Sequence, residues 1–283
     1  MKNYIKGSLK MGIQSFLKAQ RGDPDWAFTP EKYFDKEFKI IDANLIELSP
    51  GKSDRVVLRQ SPTEKDMLAK HIRIDIREGA KLDFTIINEA PDNLQQVFIY
   101  EVRIRDGGQM NMGMFVKGGS LNKHIIEVMV DEGASFTGYG YILNEAGGDC
   151  EIITKIEHRG SYSITDQFYL AEAGEDSQTV YQSMVHVNEA ARYINIRADN
   201  VNLITGDNGQ CQGVPEVYNS TPTARITSNT SSEFIDFDRI YYLQTRGFTK
   251  EEGRNVIKNA HRKKILDVIE DDEIREEIEQ LWN

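Results

Sequence analysis

The chain has 283 residues and a net charge of −11, enough for one elongated domain or two small ones. That charge argues against nucleic acid as a partner, because phosphate binding needs a basic face. Two cysteines, Cys150 and Cys211, make no disulfide framework and point to a reducing cytoplasm; no run of about 18 apolar residues exists, so no membrane span is expected.

At the N-terminus, Ile5, Leu9, Ile13, Phe16 and Leu17 are spaced as one face of an amphipathic helix, not as the continuous core of a signal peptide. Residues 1–37 are therefore expected to form a helical cap segment.

From residue 38 to 232 the apolar period is two. Ile72, Ile74 and Ile76 alternate with Arg73 and Asp75, and Met110, Met112, Met114 and Val116 alternate with Asn111, Gly113 and Phe115. Ile126, Val128 and Val130 repeat the pattern, as do Ile194, Ile196 and Ala198. Each run predicts a strand with one buried face. Turns follow at Pro50-Gly51, Glu78-Gly79, Asp106-Gly107, Glu132-Gly133, Arg159-Gly160 and Glu189-Ala190. Subtracting successive second positions gives intervals of 28, 28, 26, 27 and 30. A near-constant period in this range predicts a β-solenoid, whose coils of two or three short strands bury their apolar faces only by stacking. An antiparallel sandwich also gives short strands and regular turns, but the constant interval favours the solenoid. Its end coils need caps, and the N-terminal segment and the helical tail are natural candidates.

Residues 233–283 change period. Phe234, Phe237, Ile240, Tyr241 and Leu243 suit a short helix closed by Gly247 as its C′ residue. Thr249 with Glu252 three residues on is a capping box, and Val256, Ile257, Ala260, Leu266 and Ile269 supply an apolar stripe. Arg262-Lys263-Lys264 reads as a solvated helix face, His261 as a support of that helix, and a last acidic helix is expected over roughly 271–282.

Sequence chemistry is sparse. There is no G-x-x-x-x-G-K-[ST] loop, no nucleophile motif and no metal-ligand cluster of recognisable spacing. His71, His124, His158 and His186 lie in or beside predicted strands. His158 and His186 are 28 apart, about one coil, so they could stack as a metal-binding pair. Cys211 is the better candidate of the two thiols. Some β-helix enzymes act on acidic polysaccharides through clustered Asp and basic residues; here the carboxylates of Glu78, Asp106, Glu132 and Glu189 sit at turns.

Tyr241-Tyr-Leu-Gln-Thr-Arg-Gly247, followed by Thr249-Lys-Glu-Glu252, closely resembles the helix-turn-helix ending of the SufB/SufD family, scaffold proteins of one iron–sulfur cluster assembly system. Cys211-Gln-Gly-Val-Pro215, Pro222-Thr-Ala-Arg225, Ile235 and Asp238 extend the resemblance, and Val180–Ser183 and Asn202–Ile204 resemble the coils before them. The resemblance covers about half the chain. It implies a right-handed parallel β-helix with a C-terminal helical domain, to which the N-terminal helical segment read above is added, pairing of two such subunits as homodimer or heterodimer, and docking of the tail on a SufC-type ABC ATPase. Tyr241, Tyr242, Arg246, Gly247, Phe248, Thr249 and Glu252 would form the docking element, and a transient iron–sulfur cluster would be the cargo. The pattern departs where chemistry is expected. Asn200 replaces a SufB cysteine, Thr227-Ser228-Asn229 replaces Glu-His-Glu, and Ser228 also replaces a SufD histidine. A SufD-like supporting role, or a divergent adaptor without cluster work, follows from those losses.

Overall fold

A computed structural model of the chain describes residues 42–60, 67–206, 208–234 and 237–281. The amphipathic pattern of residues 5–17, the boundary at residue 37, Ile235 and Trp282 lie outside them.

Fourteen strands follow one another from β1 (Asp42–Leu48) and β2 (Ser53–Gln60) to β13 (Gln210–Asn219) and β14 (Arg225–Phe234). Odd strands form one seven-stranded sheet and even strands another, each in the order of the chain and parallel throughout. Each coil thus gives one strand to each sheet, which is a parallel β-solenoid. Register gives the coil length. Met67 pairs with Gln95, and Gln95 with Leu121, steps of 28 and 26. Gln178 pairs with Gln210, a step of 32, so later coils are longer.

The period-two residues point inward. Ile72, Ile74 and Ile76 of β3 (Met67–Ile76), Met110, Met112 and Met114 of β6 (Gln109–Gly118), and Ile126, Val128 and Val130 of β7 (Leu121–Val130) share one apolar core. Fully burying side chains of this size is worth ~1.5–3 kcal/mol each, which no single coil could gain alone.

One corner of the solenoid is a vertical stack of residues in the left-handed region. Gly51, Gly79, Gly107 and Gly133 have φ of 62–66°, and each donates its N–H to a carbonyl in the next coil, as Gly79 does to Asp106 at 3.0 Å. The stack does not continue through Gly160 and Ala190, as the turn spacing suggested. Its next members are Tyr162 and Tyr193, at φ 59° and 58°, with rings stacked 5.2 Å apart and largely exposed. Gly160 serves close approach instead: a Cβ there would lie 2.1 Å from the Glu132 nitrogen.

Three helices end the described chain: α1 (Phe237–Thr245), α2 (Lys250–Leu266) and α3 (Asp272–Leu281). Rather than capping the open end, they carry the chain back along the outer face of the even sheet. Ile265, Leu266, Ile269, Ile274 and Ile278 form a second core with Ile87, Phe115, Tyr141, Leu143, Phe168 and Leu170. Gly113 makes room for this layer, since a Cβ there would meet the Ile269 side chain at 2.7 Å. Ion pairs fasten the end of the tail to early strands: Arg59 to Glu277 at 2.7 Å, Arg55 to Asp271 at 2.9 Å and Lys81 to Glu270 at 2.6 Å. No helix among the described residues is long and apolar enough to cross a membrane.

Candidate functional site

Two surfaces of the molecule carry the sequence-predicted residues: a helical hairpin formed by α1 and the start of α2, and the last coils of the solenoid.

The hairpin is built as its residues dictate. Gly247, at φ 97°, ends α1; its N–H and that of Phe248 bond the carbonyls of Gln244 and Leu243 at 3.0 and 3.2 Å. Thr249 then caps α2. Its hydroxyl accepts the Glu252 N–H at 3.2 Å, while its own N–H donates to the Glu252 carboxylate at 2.7 Å. Those bonds from Thr249 hold the Glu252 carboxyl below its usual range. Ile240 is buried, and Ile240 and Leu243 of α1 face Gly253 of α2. The opposite face is open. Tyr241 is 70% exposed, Tyr242 57% and Phe248 41%, and the Arg246 guanidinium lies 5.2 Å from the centre of the Tyr242 ring. Exposed aromatics beside an arginine, on rigid helices, are the residue types that dominate binding energy at protein interfaces.

The second half of α2 anchors the hairpin. Glu172 of β10 (Ile164–Glu175), only 1% exposed, receives the Arg262 guanidinium at 2.9 Å, the Lys258 ammonium and the Tyr141 hydroxyl at 2.6 Å. Burial alone would raise the Glu172 carboxyl, but Lys258 and Arg262 overcome it and hold the group below its ordinary value. The Arg262-Lys263-Lys264 run is therefore solvated only at Lys263: Arg262 is buried, and the Lys264 ammonium sits 3.7 Å from the centre of the Phe168 ring. Sequence reasoning missed this anchor. The signal was one carboxylate inside the apolar run Tyr169-Leu-Ala-Glu-Ala173.

In the last coils the lumen turns polar. Cys211 of β13 faces inward, its Sγ 3.7 Å from the Leu203 carbonyl and 4.0 Å from that of Ala171. Burial raises its thiol to about 12, and Cys150, fully buried in β9 (Asp149–His158), is raised further. Neither is a thiolate near neutrality. Cys150, Thr179 and Cys211 stand in one column of the odd sheet. Asn200 of β12 (Asn195–Ile204) is 3% exposed and donates to the Tyr169 carbonyl at 3.1 Å; Asn229 donates to Asp199 at 2.9 Å. Ser228 pairs with Ala198 on β14, the last strand of its sheet, where the inward residues Ser228, Thr230 and Ser232 stay exposed because no further strand covers them.

The two histidines of the expected metal pair do not meet. His186 of β11 (Gln178–Val187) is in register with Glu157, and Val187 is in register with His158. The 29-residue step of this coil (Asp149 to Gln178) makes the 28-residue spacing one short, which puts His186 on the outer face and His158 in the lumen. His158 is held there by Ser163 at 2.7 Å and Thr165 at 3.0 Å. Because the Ser163 hydroxyl donates to the Gly160 carbonyl, it accepts from Nδ1, and Nε2 accepts from Thr165. Burial lowers the imidazole to about 4, so it is neutral at pH 7. His124, in β7, is lowered further, to about 3. Among the described residues no three His, Cys, Asp or Glu side chains are grouped to hold a metal.

Fold and site together define a parallel β-solenoid that displays an aromatic helical hairpin. Residues 34–261 match the family described as SUF system FeS cluster assembly, SufBD core domain, and the chain belongs to that family. Three relatives give the degree of likeness. A SufBD family iron–sulfur cluster assembly protein of Synechocystis is 22% identical over 69% of this chain and 44% of its own. The iron–sulfur cluster assembly protein SufD of Escherichia coli is 17% identical over 58% and 39%, and SufD of Plasmodium falciparum 22% over 74% and 14%. The chain thus spans less than half the length of these relatives.

Proposed function

We propose that this chain is a scaffold subunit in iron–sulfur cluster assembly, SufD-like in its supporting role, which binds a SufC-type ABC ATPase through the α1–α2 hairpin. The observation that carries the reading is the exposed face of Tyr241, Tyr242, Arg246 and Phe248, on α1 and the turn that joins it to α2, with α2 fixed to the solenoid by a buried ion cluster. ATP hydrolysis belongs to the partner, since the sequence has no phosphate-binding loop. The outer edges of β13 and β14, open among the described residues, would receive a second chain of the same fold, the same or another SufBD-type subunit, because parallel edges left open invite strand addition. An iron–sulfur cluster would be transient cargo of that assembly, located in the cytoplasm. Protonated thiols and hydrogen-bonded Asn200 and Asn229 favour support over cluster building by this subunit.

Co-expression with the SufC-type ATPase of the same genome, followed by size-exclusion chromatography, tests the reading. A stable complex is expected, and Arg246→Glu with Phe248→Ala should abolish it while circular dichroism stays unchanged. Retention of the complex by that double variant overturns the docking face. Absence of a complex between two folded proteins moves the assignment to a divergent adaptor, the reading that the residues at 200, 228 and 229 also favour.

A further inference from the structure

We propose that Glu172 is a positioning residue for partner docking: through Lys258 and Arg262 it fixes the rotation and depth of α2 on the even sheet, and so the presentation of the hairpin. The inference rests on the docking role assigned to that hairpin.

The geometry is specific. Glu172 belongs to the solenoid, whereas Lys258 and Arg262 lie one helical turn apart on one face of α2. The Arg262 guanidinium also stacks 5.0 Å from the centre of the Tyr141 ring, and the Tyr141 hydroxyl reaches the same carboxylate. Two cations and one hydroxyl therefore converge on one acceptor with almost no access to water. An apolar contact tolerates sliding by a rotamer; a buried charge does not, because any displacement leaves it unpaired. Ile265 and Leu266, the apolar contacts of α2 with the sheet, lie only at its last turn. Lys258 is the contact nearest the hairpin, two turns after Lys250, so the carboxylate controls the lever that carries Tyr241, Tyr242 and Phe248.

Glu172 faces the outer layer, while its neighbour Ala171 faces the lumen, where its carbonyl is 4.0 Å from the Cys211 Sγ.

The test uses the full chain and its ATPase partner, with three readouts: dissociation constant, thermal midpoint, and hydrogen exchange of residues 250–262. Glu172→Gln keeps the shape and removes the charge. We expect at least tenfold weaker docking and faster exchange confined to α2, with the solenoid still folded. Tyr141→Phe removes a bond to the same carboxylate but leaves both ion pairs; it should lower the thermal midpoint and leave docking within twofold. If Glu172→Gln weakens docking no more than Tyr141→Phe, the residue is only structural and the proposal fails. Should Glu172→Gln not fold, Lys258→Met, which spares the Arg262 pair, is expected to weaken docking severalfold, and unchanged docking there overturns the proposal. The Arg246→Glu, Phe248→Ala variant keeps the two questions apart. If it loses docking while Glu172→Gln does not, the hairpin stands and the positioning role falls; if it retains docking, the hairpin itself falls.

Discussion

The early coils and the late coils share one backbone plan and differ in what fills it. Around β3 to β7 the lumen holds Ile74, Phe84, Phe98, Val102, Met112 and Val128, all buried, and the corner is glycine. Around β10 to β14 the lumen holds Thr165, Gln167, Asn200, Asn202 and Thr230, the corner is tyrosine, and the steps lengthen to about thirty residues (Asn195 to Arg225 is 30). The difference teaches that strand pairing sets the plan, while the apolar share of the filling can vary from coil to coil. The early coils carry the larger share of the apolar burial that offsets chain entropy, to which β10 to β12 add Tyr169, Tyr181, Val185 and Ile196. The late ones are free to hold polar chemistry and an open edge.

That contrast can be broken most forcefully in the apolar half. Phe84→Ala should cost about 3–5 kcal/mol in urea unfolding, because a ring 1% exposed leaves a cavity that flanking strands cannot close. Thr230→Ala, in the exposed lumen of β14, should cost less than ~0.5 kcal/mol. Equal losses would show that both halves carry the core.

Acid sharpens the boundary between them. Burial lowers His158 from its ordinary 6.5 to about 4, so the unfolded chain binds its proton first. Its contribution is fully present above pH 6.5 and is lost as pH falls through that window to about 4, an effect on the order of 3 kcal/mol. His158→Gln should flatten this part of the stability-against-pH curve; an unchanged slope between pH 6.5 and 4 would mean that the site is hydrated.

The smallest effect concerns the corner. Tyr193→Gly relieves a left-handed tyrosine but removes its stacking on Tyr162, opposing terms of about 1 kcal/mol each. The stability change should stay within about 1 kcal/mol, whereas Gly107→Tyr, lacking a stacked neighbour, should lose the strain term in full.

Much of the fold was legible in the sequence because it rests on local patterns: inward residues every second position, a glycine corner near every twenty-eighth, and a Thr249–Glu252 capping box that forms as written. The hairpin face was legible for the same reason, since a C′ glycine at 247 and an N-cap at 249 specify a turn. What was not legible depended on exact register or on contacts distant in sequence. His158 and His186 differ from stacking by a single residue, and period two turns that into opposite faces. The place of the tail was hidden because the outer residues of the even sheet, such as Phe115 and Leu143, read as ordinary strand positions until a partner layer 120–160 residues later covers them. The Glu172 anchor lies 90 residues from Arg262, beyond any local pattern.

The return of the tail to the early strands has a consequence for the birth of the protein on the ribosome. A stack of coils in contact only with its neighbours can order progressively as it is translated. Here, among the described residues, the layer that covers the outer face of the even sheet at Ile87, Phe115 and Tyr141 is the segment from Ile265 to Ile278, which emerges last. During that interval the nascent chain displays a ribbon of aliphatic and aromatic side chains running along its own length. The last helix is thus the step that covers this ribbon, and a chain truncated before residue 265 is expected to keep its strand pairing and still aggregate.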